Sequence, residues 1–244
     1  MELKRGQFKI NHQHSEQCNV YMRERPKRPS AARVIEMRER PGNDSIVMDF
    51  KYYKNAEQTI SCYAKAVNLE EVSVLEEEIS YWLDMGSYTD YTVYYDPHYI
   101  YQAIVTSSPE FTGQRRNGNL IPFDFSISLR PFKMSRVGLS WKTNKKILIN
   151  TEKYPSKPKI HIFGSGDISF SINDQVFELK GVDEEILIDS AIEESYKKVK
   201  GEIVPQDEKT LFRDYPLLNT GRNKISWTGD VQKIQIMPRW WTKI

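Results

Sequence analysis

The sequence predicts a mainly β protein with one long α-helix, divided into two domains, and three observations predict it. Apolar and polar residues alternate with a period of two along much of the 244 residues, as at Phe123, Phe125, Ile127 and Leu129, which is the pattern of half-buried strands. Turn signals recur about every 8 to 12 residues from Asn144 onward, the spacing of an antiparallel sandwich. Only the stretch from about Leu69 to Met85 places apolar residues at helical spacing. Aromatic residues make up 12% of the chain, with 14 Tyr, against a mean hydropathy of −0.61, a combination suited to a strand-rich soluble protein.

Composition excludes several classes of function. A formal net charge of +2 is too balanced for a surface that binds nucleic acid throughout. No apolar run reaches membrane-spanning length, and the start, MELKRGQFKI, lacks the apolar core of a signal peptide, so the expectation is a cytoplasmic chain or one packed into an assembly, with no membrane partner. Cys18 and Cys62 show no paired metal spacing and are expected to be free thiols. His12, His14 and Cys18 lack a fourth ligand at recognisable spacing, and the chain has neither a Gly-rich phosphate loop nor a nucleophile elbow. No catalytic residue, metal or cofactor is therefore assigned.

From the start, Phe8, Ile10 and His12 alternate as a short strand. Met22-Arg23-Glu24-Arg25-Pro26 recurs as Met37-Arg38-Glu39-Arg40-Pro41, and the segment 22–41 holds seven basic residues against three acidic, which reads as a solvated or subunit-facing loop. The turn Pro41-Gly42-Asn43-Asp44 leads into a strand through Ile46, Met48, Phe50 and Tyr52, and Thr59 to Ala66 gives another, with Cys62 in its core. Asn68 and Glu71 form a capping-box-like start for the helix, Val72, Leu75, Ile79, Trp82 and Leu83 form its apolar face, and Gly86 supplies a left-handed stop. Its Glu70, Glu71, Glu76, Glu77 and Glu78 read as a solvated or interface-facing side. Strands 91–96 and 99–106 meet at Asp96-Pro97-His98, and residues 107–119 are expected to form a long mobile tip.

In the second half, Ile147 and Ile149 precede the turn Tyr154-Pro155-Ser156-Lys157-Pro158, and a strand through Ile160 and Ile162 follows. Ile168, Phe170 and Ile172 pair with Val176 and Leu179 through Asn173-Asp174, where Asp174 suits a positive φ less well than glycine. Ile186 and Ile188 form a short strand, and 190–200 is a connecting segment carrying Tyr196. The last stretch predicts a hairpin: Ile225 and Trp227 on one strand, a break at Thr228-Gly229-Asp230, and Ile234 and Ile236 on a returning strand that Pro238 stops.

The stretch Gly221, Asn223, Ile225, Ser226, Trp227, Gly229, Val231, Ile234, Ile236, Pro238 and Trp240 resembles the C-terminal end of the distal tail protein (Dit) family of siphophages. Asp96, Pro97, Tyr99, Tyr101, Ala103 and Val105 resemble a second segment of that family, and Pro155, Pro158, Ile160, Gly164, Gly166, Asp167, Ile168 and Asn173 a third. The resemblance implies an N-terminal β-barrel-like belt domain, 1–134, and a C-terminal galectin-like β-sandwich, 135–244. It implies a structural hub of a phage or prophage tail tip, assembled in the host cytoplasm as a homohexameric ring. The partners it implies are the tail tube protein, a tail-associated lysin or tail fibre hub protein and receptor-binding baseplate proteins, with DNA passing through the ring. The residues chosen as candidate ring contacts are Arg25, Arg28, Arg38, Arg40, Glu77, Arg115 and Arg116. Two rival readings are carbohydrate binding by the second domain through Trp227, Trp240, Trp241 and Tyr196, and a wall-degrading enzyme built on Asp183, Glu184, Glu185, Glu193 and Glu194.

Overall fold

In the computed structural model, which describes residues 3–112 and 119–244, the chain divides into two compact units, Met1–Lys133 with Lys243–Ile244, and Met134–Thr242. The first unit is a curled antiparallel sheet carrying one helix. Its strands are β1 (Phe8–Ile10), β2 (Gln13–His14), β3 (Val20–Met22), β6 (Ala56–Lys65), β7 (Thr89–Val93), β8 (Tyr99–Phe111) and β9 (Leu120–Leu129), in the order β2-β1-β7-β8-β9-β6-β3. Between β3 and β6 the chain makes β4 (Arg33–Arg40) and β5 (Asn43–Tyr53), which pair only with each other. Residues 33–40 are thus a strand and not the predicted loop.

Alternation sets the core. Ala56, Gln58, Ile60, Cys62 and Ala64 of β6 face inward, opposite Ile121, Phe123, Phe125 and Ile127 of β9, with Ile60 paired to Phe125 and Cys62 to Phe123. The sheet curls far enough that the Met22 N–H donates to the Gly6 carbonyl at 2.8 Å, which brings β3 to the residues preceding β1. Gly6 has φ +85°, and a Cβ there would lie 3.3 Å from the Met22 carbonyl, so both its backbone angle and its neighbour favour glycine. The strand expected to reach His12 ends at Ile10, because Asn11 and His12 take left-handed φ of 49° and 61° and form a tight turn into β2.

The helix α1 spans Val72–Leu83 and buries Val72, Ile79, Trp82 and Leu83, with Leu75 half-buried against the same core. Asn68 does accept from the Glu71 N–H (2.9 Å) and donate to the Glu71 carboxylate (3.2 Å), but this cap closes the turn just ahead of the helix. The predicted left-handed stop at Gly86 is incorrect. Asp84 leaves the helix in extended geometry, and the Trp82 carbonyl, an orphan of the last turn, accepts from the Asn11 side chain at 2.8 Å. Trp82 in turn donates to the Ile10 carbonyl (3.0 Å) and stacks on Phe8 (5.6 Å), so the β1–β2 turn fixes the helix end without a glycine.

The strand β10 (Phe132–Ser135) leads out of the first unit. The second unit holds β11 (Lys142–Thr143), β12 (Ile147–Asn150), β13 (Lys159–Ile172), β14 (Gln175–Val182), β15 (Glu185–Asp189), β16 (Glu194–Val199), β17 (Glu202–Pro205) and β18 (Gly221–Met237), and β19 (Trp241–Lys243) leads back. The main order is β11-β18-β13-β15-β16-β17, with β12 also on β18 and β14 on β13.

The predicted closing hairpin does not exist. Residues 221–237 form one strand, paired antiparallel to β13 from Lys159 opposite Met237 to Ile172 opposite Ile225. The Thr228-Gly229-Asp230 break is a bulge: Gly229 has φ +98°, and the register with β13 shifts between Ser165 and Ser169. The spine changes neighbours across that bulge. β15 flanks residues 159–163 of β13 and β14 flanks 166–172, while β11 and β12 take opposite ends of β18.

Ile160, Ile162, Phe170, Ile172, Ile225, Ile234 and Ile236 fill the core of this unit, whereas Trp227 and Val231 are half-buried against it. The hairpin through Asn173-Asp174 is present, and the positive φ falls on Asn173 (56°), which relieves the strain expected at Asp174. Residues 194–199, expected as a connector, form β16 with Tyr196 opposite Leu187.

Candidate functional site

The β4–β5 ribbon presents apolar side chains with nothing to cover them. Ile35, Met37, Ile46, Val47, Phe50 and Tyr52 are all exposed, Met37 to 65%. Adjacent residues such as Ile46 and Val47 point to opposite sides of a strand, so both faces of the ribbon are apolar. A two-stranded hairpin alone is at best marginally stable in water, and contiguous exposed apolar surface of this kind marks an interaction site. The ribbon is braced by charge. Arg33 pairs with Asp49, and that hydrogen bond, together with the Lys51 N–H, holds the Asp49 carboxyl down at about 2.

Arg38 and Arg40, two of the candidate contacts, lie on this ribbon. Arg38 pairs with Glu36 at 3.0 Å and Arg40 donates to the Asp44 carbonyl at 3.2 Å, both at the surface. Arg25 and Arg28 lie on the segment between β3 and β4 and are tied to their own unit. The Arg25 guanidinium sits 4.9 Å from the Tyr95 ring centroid, and Arg28 lies 3.4 Å from Asp96 and donates to the Tyr101 hydroxyl at 3.2 Å. Asp96 also takes the buried Lys133 ammonium and the Tyr101 hydroxyl, and Lys133 stands 3.9 Å over the Tyr99 ring. Burial, with the hydrogen bond to Asp96, pushes the Tyr101 hydroxyl well above the usual range for tyrosine. This cluster joins the strap before β4 to the turn between β7 and β8.

The outer face of α1 carries Glu77, the remaining described candidate, beside Glu78, Val74 and Tyr81. All four are exposed, Tyr81 to 85%. No Lys or Arg occurs between Lys65 and Arg115, so this side of the first unit is acidic while the strap, with Arg23, Arg25, Lys27 and Arg28 against Glu24, is basic. Arg115 and Arg116 lie outside the described residues. Of the tip expected over 107–119, residues 107–111 belong to β8, and residues 113–118 lie outside the described residues.

Sequence reasoning found the turn and β5 but missed β4, the other strand of the ribbon. Val34, Ile35 and Met37 are strand-prone residues, but Arg33, Glu36, Arg38, Glu39 and Arg40 hide the alternation, and a strand with both faces in solvent has no reason to alternate. Among the described residues no group of His, Cys, Asp and Glu is placed to hold a metal. Cys62 is fully buried, and burial pushes its thiol far above the usual range, so it packs as a small apolar side chain.

Neither a family model nor a curated protein sequence matches the chain. Solved structures do. The Dit protein of phage SPP1, described as a paradigm of the hub adsorption apparatus in phages that infect Gram-positive bacteria, is similar with a TM-score of 0.71 over 94% of this chain and 97% of that one, at 13% identity. The chain has the fold of a distal tail protein. Two structures of the phage P2 baseplate in its activated conformation are also similar. The one with strontium gives a TM-score of 0.54 at 9% identity over 94% of this chain and 96% of that one, and the one with calcium gives 0.52 at 11% over 98% of both. The fold is thus shared with these structures at identities where only backbone architecture is preserved.

Proposed function

We propose that the chain is a structural hub subunit of a phage or prophage tail tip that closes into a homohexameric ring. On this reading the first unit is the belt that continues the tail tube, with DNA passing through it. The second unit is a galectin-like sandwich that receives a tail lysin or fibre hub and receptor-binding baseplate proteins. A strand pair such as β13–β18, which changes neighbours at a bulge, is how one sheet folds over itself into two layers. The observation that carries the reading is the uncovered apolar ribbon on a fold shared with tail-hub structures. A head-to-tail contact between copies closes into a ring when its rotation divides a full turn.

The test is the mass of the purified protein by light scattering, followed by negative-stain imaging. The expected result is a ring of six. Reversing charge at Arg38 and Arg40 together is expected to lower that mass while leaving the melting temperature unchanged, and an unaltered ring would remove these two residues from the interface.

Carbohydrate binding by the second unit has less support. Tyr196 and Trp240 are buried, and Trp227 is capped by the Lys146 ammonium 3.2 Å from its ring. Three of the five acidic residues of the enzyme reading are engaged by neighbours: Asp183 with Lys197 (2.9 Å), Glu185 with His161 (2.8 Å) and Glu193 with Lys157 (3.1 Å).

A further inference from the structure

The strand β6 is paired along its whole length to β9 on one side but only at its C-terminal end to β3 on the other. The direction of its backbone groups follows from two bonds. Arg23 donates to the Ser61 carbonyl (2.9 Å) and Lys65 donates to the Asn19 carbonyl (3.1 Å), so odd-numbered residues of β6 point their N–H and C=O groups away from β9. Beyond Ser61 this edge has no strand beside it. No hydrogen bond closes the outward backbone groups of Thr59 and Glu57 among the described residues.

What lies opposite is the strap Pro26-Lys27-Arg28-Pro29, across a cleft of about 550 Å³ lined by these residues together with Glu57 and Thr59. Pro26 and Pro29 have no N–H, so the strap cannot complete the ladder itself. Gln58 ties the strap down by donating to the Lys27 carbonyl (2.7 Å), and its Oε1 is buried without a hydrogen-bond partner. The cleft is therefore held open beside about 13 Å of free strand edge, from Glu57 to Ser61.

Each chain thus carries, at Glu57 to Ser61, a sheet edge that lacks a strand and, in β4–β5, a ribbon that lacks a sheet. The strap is basic, and the ribbon tip carries both signs, Glu39 and Asp44 beside Arg38 and Arg40, with Glu39 and Asp44 outside any ion pair among the described residues. We propose that the β6 edge accepts a strand of the β4–β5 ribbon from a second copy of this chain by β-augmentation, with Thr59 and Glu57 supplying the backbone hydrogen bonds. This rests on the ring reading above and names its joint. Because edge and ribbon lie at different places on the chain, the contact is head-to-tail, as ring closure requires.

The test combines hydrogen exchange with a mixing experiment. In the wild-type assembly, the Thr59 and Glu57 amides are expected to exchange at least about tenfold more slowly than in diluted monomer. The Thr59→Pro variant removes one outward N–H from an edge position where proline is tolerated, and is expected to melt as wild type yet fail to assemble. A chain whose residues 35–50 are replaced by a Gly-Ser turn keeps the edge and lacks the ribbon. Mixed with Thr59→Pro, which keeps the ribbon and lacks the full edge, it is expected to give a 1:1 pair and nothing larger, because the one joint left places that ribbon on an intact edge; no pair would overturn the joint.

Mixed with wild type, the ribbon-less chain is expected to cap growth and shorten the assembly. Should the wild type form a ring with unchanged exchange at Thr59 and Glu57, the joint is elsewhere and the ring reading survives. Should the wild type remain monomeric, the ring reading fails and this joint with it. If Thr59→Pro melts early, the wild-type exchange rates decide alone.

Discussion

At the scale of single residues, each unit of the chain is pinned by one carboxylate that gathers cations around it. In the first unit Asp96 collects Lys133, Arg28 and the Tyr101 hydroxyl. In the second unit Asp189, 4% exposed, accepts two hydrogen bonds from the Arg239 guanidinium, with Lys159 at 3.4 Å and the Ala191 N–H at 3.1 Å. Burial by itself would raise the Asp189 carboxyl; Arg239, the Ala191 amide and Lys159 together outweigh it and hold the group below the usual range. A carboxyl depressed in the folded state stabilises that state fully above its unfolded pKa near ~3.9, and the contribution is lost as pH falls toward the folded value. Arg239→Met removes the fork and leaves a buried charge short of partners, a loss of about 3 kcal/mol. Denaturant titration of both proteins is expected to show that gap at pH 7 and to show it closing below about pH 4. A gap independent of pH would mean that Arg239 acts through packing alone.

At the scale of elements, the second unit depends on two strands passing very close at a bulge. A Cβ on Gly164 would lie 2.2 Å from the Asp230 carbonyl oxygen and one on Gly229 would lie 2.6 Å from that of Asp167, both backbone atoms that cannot swing aside. Gly164→Ala is therefore expected to cost about 1 to 3 kcal/mol by forcing β13 and β18 apart, read as a lowered urea midpoint with the helix signal of the first unit retained. The same bulge explains where the sequence misleads. Thr228-Gly229-Asp230 has the composition of a turn, and local chemistry does not distinguish a glycine that reverses a chain from one that lets a neighbouring backbone approach. That distinction lies in β13, more than fifty residues away. By contrast α1, the Asn173-Asp174 hairpin and the alternating strands β6 and β9 were legible, because each is set by its own period and by a buried face. Strand β4 was not legible for the opposite reason: with both faces in solvent, no buried face imposes a period on its sequence, whereas its partner β5 was read from its alternation.

At the scale of the whole molecule, the second unit is an excursion from the first, leaving after Lys133 and returning at Lys243. The return is built into the first core. Ile244 is 4% exposed, its N–H donates to the Pro131 carbonyl at 3.1 Å, and its own oxygen accepts from Ala31 N–H (3.2 Å) and the Ser30 hydroxyl (2.8 Å). Ser30, Ala31 and Ala32 form the root from which the ribbon rises, since Lys54 at its far end donates back to the Ala32 carbonyl at 2.8 Å. One residue therefore supports both: its side chain fills the core, and its backbone, positioned by that packing, holds the base of the proposed interface. Ile244→Ala should remove about 3 kcal/mol from the first unit through the cavity it leaves, and nothing from the second, so calorimetry is expected to show one transition lowered and one unmoved. Because the ribbon root loosens with it, assembly should weaken as well, although no residue of the joint has changed. If the lower transition moves while the ring mass at matched concentration stays the same, Ile244 serves the core alone and the ribbon root is held by other contacts.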